Sequence, residues 1–201
     1  MPKGPTRRRP QTRARLLEAA MDAFAEAGFG ATSIDEICRR AGYTTGAYYS
    51  NFSSKDELFF ALFDEHAARA LERLVSKVAD LTAGDPTPEQ IAGVLADLSP
   101  EERRWYVVST EFTLYALRNP EAAQVLADHD AKARAELVRI LTAYFTCRGR
   151  EPAVDLDQLA RLIIAIREGA LLQSLVEPDA LPTGTLEAAF LPALLRSVFH
   201  P

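Results

Sequence analysis

Residues 42–52 read GYTTGAYYSNF. The stretch holds three tyrosines, two glycines and several small hydroxyl side chains, and it carries no charge. A buried core tolerates so many polar groups poorly, and a solvated face seldom carries so many rings. Cations stand on both sides: Arg39 and Arg40 before it, Lys55 after it. Upstream, Ser33-x-x-Glu36 is a capping box that starts a short helix over 34–41. Gly42 ends that helix, and a second short helix follows over 45–51. Two short helices joined by a tight glycine-containing turn form a helix-turn-helix, whose second helix is the kind that lies in the major groove of DNA. Ile34, Ile37, Cys38, Ala41, Tyr43 and Phe52 can pack beneath the pair, leaving Thr44, Thr45, Ala47, Ser50 and Asn51 outside. Small hydroxyl and amide groups suit base edges and phosphates, because they donate or accept without a bulky reach.

Working outward, nearly every segment repeats its apolar residues with helical periodicity, and no run alternates with period two. Further helix starts are marked by Ser54-x-x-Glu57, Thr87-Pro88-x-Gln90, Ser99-Pro100-x-Glu102, Asn119-Pro120-Glu121 and Asp155-x-x-Gln158. The spacing predicts helices over 11–27, 34–41, 45–51, 55–81, 88–97, 100–118, 120–147, 156–176 and 185–199. The first has Leu16, Leu17, Ala20, Phe24 and Ala27 on one face and ends at Gly28-Phe29-Gly30. Pro192 falls inside the last and should kink it. The expected fold class is all-α, with about nine helices.

The chain has 201 residues, 48% hydrophobic and 25% charged, enough for one sizeable core or two smaller ones. No apolar run approaches the roughly 20 residues that span a bilayer. The opening MPKGPTRRRP leads into no apolar segment, so no secretory signal and a cytoplasmic location are expected. Cys38 and Cys147 lie far apart without metal spacing, and two buried thiols are expected. His66, His129 and His200 pair with no cysteine or carboxylate at metal spacing, so no metal is assigned. The net charge is −5, yet residues 1–60 carry nine Lys/Arg against seven Asp/Glu. Lys3, Arg7, Arg8, Arg9, Arg13 and Arg15 meet no acid in the first fifteen residues, which points one basic end at a polyanion. A solubilising tail fits the same charges.

Residues 31–62, ATSIDEICRRAGYTTGAYYSNFSSKDELFFAL, together with TRARLLEAAMDAFAEAGF before them, resemble the N-terminal signature of TetR-type transcriptional regulators. The resemblance covers residues 11–63, and the rest has only a general likeness, an all-helical region of suitable length. It implies a basic arm over 1–10, a helix-turn-helix domain over 11–54 and a ligand-binding and dimerisation domain over 55–201. Carried over residue by residue, it implies that Thr32 and Ser33 touch phosphate. Thr44 and Thr45 open the recognition helix, Gly46 lets the backbone approach DNA, and Ala47 meets a thymine methyl. Tyr49 gives its hydroxyl to phosphate, Asn51 replaces a common histidine, and Lys55 matches a phosphate-binding lysine. Tyr43 and Tyr48 depart from the usual aliphatic residues and are read as packing. Ser50 is smaller than the residue often found at its position. Asp35 stands where some members carry an arginine and fits the positive end of its helix.

The family likeness also implies a small-molecule effector, a homodimer and a palindromic DNA operator. Candidate effector contacts are Trp105, Val108, Glu111, Phe112 and Tyr115, with Phe63 and His66 facing them; an aromatic stripe at this spacing also fits plain core. Helices 156–176 and 185–199 are apolar around much of their circumference and are expected to pair with their copies. The resulting reading is a ligand-responsive homodimeric repressor, with an activator on the same head as the alternative and, behind it, a helical enzyme or an interaction protein that keeps a vestigial helix-turn-helix. No nucleophile–base pair or phosphate loop supports an enzyme, and no cofactor is expected.

Overall fold

Local side-chain chemistry sets the helix boundaries. The computed structural model describes residues 8–82, 87–149 and 151–198, with backbone alone at 8, 74 and 78–82. The arm residues Lys3 and Arg7, the loop residues 83–86, Arg150 and His200 lie outside the described residues. Nine α-helices are found among those described: α1 Arg8–Ala27, α2 Ile34–Ala41, α3 Thr45–Tyr49, α4 Lys55–Thr82, α5 Pro88–Ala96, α6 Pro100–Ala116, α7 Pro120–Cys147, α8 Leu156–Val176 and α9 Thr185–Ser197. At α5, the Thr87 hydroxyl accepts from Gln90 N–H while Gln90 reaches back to Thr87 N–H, a complete capping box. Ser99 and Glu102 do the same ahead of α6. Asn119 caps α7 and Asp155 caps α8. Each such cap satisfies amide donors that a helix N-terminus leaves without partners.

One box differs from its expected form. The Ser54 hydroxyl accepts from Glu57 N–H, but the Glu57 carboxylate takes the N–H and hydroxyl of Ser53 instead of turning back to Ser54. α1 begins at Arg8, earlier than its periodicity predicted, because Pro10 sits in the first turn where no amide donor is needed. α3 stops at Tyr49 as Ser50 and Asn51 N–H close on Gly46 and Tyr48 carbonyls. One burial expectation fails: Cys38 is buried, but Cys147 at the end of α7 is exposed, as is Ala27 at the end of the apolar face of α1. α9 runs through a buried Pro192.

The chain forms two compact units. Unit 1 holds residues up to Ala68 and Arg104–Ala127; unit 2 holds Arg69–Arg103 and Asp128–Pro201. The division cuts α4, α6 and α7, and the parts of α4 and α6 that fall in unit 1 carry its aromatic faces. Its core joins Leu16, Phe24, Ile37, Tyr48 and Phe52 to Phe59, Phe63, Val108 and Phe112. Phe59 stacks on Phe112 at 4.2 Å between centroids, and Phe29 meets Phe59 edge-on at 5.2 Å. Each such buried ring contributes roughly 1.5–3 kcal/mol. Unit 2 has a mainly aliphatic core of Ile91, Leu95, Leu141, Leu159, Ile163, Leu191 and Leu195, with Tyr144 and Phe145. Among the described residues no helix is long and apolar enough to cross a membrane.

Candidate nucleic-acid interface

α2 is defined at both ends. Ser33 caps it by accepting Glu36 N–H, and Gly42 closes it in the left-handed region at φ 71°. With nothing within 4 Å of where a Cβ would sit, Gly42 is required for its backbone conformation alone. The charges of α2 pair locally: Glu36 accepts from Arg39 and Arg40, and Arg40 also reaches Glu26 on α1. Hydrogen bonds from Arg39 first, then Arg40, hold the Glu36 carboxyl down to about 2.

The turn delivers α3 with Thr44 as its cap, the hydroxyl accepting Ala47 N–H at 3.2 Å. Tyr48 points inward, fully buried, and donates its hydroxyl to Ser54 carbonyl at 2.8 Å. Burial pushes its phenol up, out of the titrating range. Tyr49 points out and is 59% exposed, its ring edge-on to Tyr48. Thr45 and Gly46 are exposed beside it, and Ala47 is half-buried. Among the described residues, the Thr45 and Tyr49 hydroxyls make no hydrogen bond. Ser50 and Asn51 turn back to the helix, donating to Gly46 and Ala47 carbonyls. Asn51 Oδ1 is buried without a partner among the described residues.

Two of the expected phosphate contacts have internal work. The Thr32 hydroxyl is buried and donates toward the Gly28 and Ala23 carbonyls. Lys55 Nζ donates to Phe29 O at 2.7 Å and Thr32 O at 2.9 Å, and lies 4.5 Å from the Phe29 ring centroid. Burial lowers its ammonium, with Asp56 and Glu111 pulling the other way. The face that remains open comprises Thr44, Thr45, Gly46 and Tyr49, with Ser33 exposed at the start of α2.

Sequence reasoning missed how the arm meets this face. Arg9 donates from its guanidinium to Ser50 O at 3.1 Å, and Arg13 lies over the Phe52 ring. The basic run was a visible signal; its target was not. Phe29 was also missed as a junction. Its N–H donates to Glu111 at 2.7 Å, its carbonyl accepts from Lys55, and its ring meets Tyr115 at 5.3 Å. A Cβ on Gly28, at φ +86°, would lie 2.7 Å from Glu111 Oε1, so this close approach requires glycine.

The candidate effector residues divide. Phe63, Val108 and Phe112 are buried in the core of unit 1, with Trp105 and Tyr115 packed against it. His66 is buried and stacks flat on Trp105 at 4.6 Å. Glu111 and Tyr115 line a cleft of ≈ 440 Å³ with Phe29, Gly30, Leu114 and Asn119. Among the described residues no group of three or more His, Cys, Asp or Glu side chains could hold a metal ion.

Comparison with known proteins places this geometry in context. Residues 16–62 match the family described as bacterial regulatory proteins, tetR family, and residues 89–199 match the C-terminal domain of BetI-type transcriptional repressors. An uncharacterized HTH-type transcriptional regulator of Mycobacterium tuberculosis is 31% identical over 68% of this chain, a match spanning 64% of that relative. The HTH-type transcriptional repressor AcnR of Corynebacterium efficiens is 29% identical over 69% of this chain and 68% of its own. The Salmonella enterica GusR structure superposes with a TM-score of 0.76 at 26% identity, covering 94% of this chain and 95% of that one.

Proposed function

The chain belongs to the TetR family of bacterial regulatory proteins, DNA-binding transcriptional regulators, and from that premise we propose that it is a cytoplasmic, ligand-responsive homodimeric repressor of a palindromic operator. The observation that carries the DNA contact is the open α3 face, where the Thr45 and Tyr49 hydroxyls have no hydrogen-bond partner among the described residues. An exposed donor on a short helix can meet a phosphate oxygen, and an adjacent glycine admits the sugar–phosphate backbone closely. Ser33, Thr44 and Ala47 complete the contact set. Arg9, Lys55, Thr32 and Asn51 act chiefly by positioning it.

A second copy is supported by unit 2. Leu162, Leu172 and Val176 are exposed on one side of α8 with Ala165 and Gly169 between them, and Phe190 is 60% exposed on α9. Such a stripe on two neighbouring helices fits a self-complementary four-helix interface. The two heads would then address half-sites about 34–36 Å apart or a multiple of that. The protein acts by binding, with a small-molecule effector favouring the state that releases DNA.

Gel-shift titration on DNA flanking the protein's own gene tests this. Wild type should retard a palindromic fragment, and Tyr49→Phe should weaken binding about tenfold through loss of a charge-assisted hydrogen bond, with an unchanged melting temperature. No retardation at low salt by any flanking fragment sinks the reading.

A further inference from the structure

Unit 1 carries a cleft of ≈ 440 Å³ between the loop after α1 and the C-terminal part of α6. Its walls are Phe29, Leu114 and Tyr115, and its polar lining is Glu111, Arg118 and Asn119. The chain already uses two of the three polar groups. The Glu111 carboxylate accepts the Phe29 N–H at 2.7 Å. Asn119 donates to the Tyr115 hydroxyl at 2.7 Å, and its Oδ1 accepts the Glu121 and Ala122 amides, so the Tyr115 wall is set before anything binds. The Arg118 side chain is exposed and makes no hydrogen bond or ion pair among the described residues. Leu114, four residues earlier, is 53% exposed, so an apolar surface and a guanidinium open onto the same space.

The charges fix the sign of what fits. Lys55 donates to the Phe29 carbonyl while Glu111 takes the Phe29 amide, so an ammonium and a carboxylate bond to one residue and offset each other. Arg118 is the charge left over. Asp56, Glu57 and Glu121 line a separate hollow that shares only Tyr115 and Asn119 with the cleft, and Glu57 is already held by the Ser53 amide and hydroxyl. Those acids repel an anion from that hollow and leave the Arg118 end as the place for it. We propose that the cleft is a ligand site for a small apolar monocarboxylate, whose carboxylate pairs with Arg118 while its hydrocarbon body covers Leu114 and the Phe29 and Tyr115 rings. Guanidinium and carboxylate match in a planar, two-bond geometry, and small-molecule sites combine apolar walls with a few polar groups in this way. A cation meets Arg118 with like charge, a neutral analogue leaves the guanidinium unused, and a short acid leaves the apolar walls wet. The inference rests on the effector-responsive reading for the use of the site, and on the cleft alone for its binding. It places recognition at the surface of unit 1 rather than among the rings of its core.

The test is calorimetric titration of the full chain with benzoate, phenylacetate and hexanoate, set against benzamide, benzylamine and acetate. At least one of the three apolar acids should bind saturably, and about tenfold more tightly than benzamide, benzylamine or acetate. Arg118→Gln should weaken that acid about tenfold, and Arg118→Lys less, because the charge stays while the planar fork is lost. Leu114→Glu, which sets a like charge in the cleft, should weaken it at least as much. Leu114 and Arg118 are both exposed, so all three variants should melt with wild type. No saturable binding by any apolar acid, equal binding of benzamide, benzylamine or acetate, or an undiminished constant in either Arg118→Gln or Leu114→Glu overturns the proposal. Operator binding is measured separately, without and with the acid. A bound acid that leaves operator affinity unchanged removes the effector role and keeps the site, and intact operator binding with no acid bound removes the site alone.

Discussion

Unit 1 and unit 2 treat buried polarity in opposite ways. In unit 1, Lys55 is closed on two carbonyls, Glu111 on the Phe29 amide and the Tyr48 hydroxyl on Ser54. Its orphan among the described residues, Asn51 Oδ1, belongs to the segment that ends the recognition helix. In unit 2, Glu187 and Arg73 keep buried polar atoms without a hydrogen-bond partner among the described residues. The difference teaches where each unit can move. A head whose internal groups are paired presents one fixed surface, whereas an interior left unpaired has free energy to release when those atoms gain partners.

The largest test of that contrast is Phe112→Ala. Phe112 is fully buried and stacked on Phe59, so a loss of about 3–5 kcal/mol is expected in urea denaturation. A loss below about 1 kcal/mol would mean the rings line an adaptable pocket rather than a packed core. Glu187→Leu should act in the opposite direction, gaining about 1–3 kcal/mol because it removes a buried carboxyl that has no hydrogen-bond partner among the described residues. A clear destabilisation would show unit 2 to be as well paired as unit 1. Glu111→Ala removes the acceptor of the Phe29 amide and should cost about 1–3 kcal/mol, read in the same melts and as faster exchange of that amide.

The smallest effect is a matter of pH. The Glu36 carboxyl is held down to about 2 by Arg39 and Arg40. A depressed carboxyl adds stability above its unfolded value and loses it as pH falls toward the folded one. The advantage of wild type over Glu36→Gln should therefore be present at neutral pH and shrink from the ordinary glutamate range, about 4.3, down to about 2. An advantage that is flat across that window would show that α2 does not depend on this pairing.

Legibility in the sequence followed the range of each interaction. The caps at Ser33, Thr87, Ser99, Asn119 and Asp155 act over two or three residues, so a spacing pattern reveals them. The inward turn of Tyr48 was readable from the family resemblance, because it stands where an aliphatic residue is usual, and the structure buries it. Glu111 meets Phe29 across 82 positions, and no local pattern announces such a partner. The family resemblance implies a phosphate ligand at Lys55, while the carbonyls that hold its ammonium come from the loop after α1. Ala27 continues the apolar stripe of its helix, yet it is exposed at the last turn of α1. Glu187 sits on a helix that reads as rich in apolar residues, and its burial is a property of the fold around it.

The Phe29 amide has one more use. Its proton points at a carboxylate oxygen 2.7 Å from the nitrogen, and short charge-assisted bonds of this kind are strong. In a nuclear magnetic resonance spectrum that proton should stand downfield of its neighbours. Because the acceptor is carried by α6 and the donor by the loop after α1, any displacement of one against the other is written into a single resonance. The molecule thus carries its own internal gauge, readable without a label.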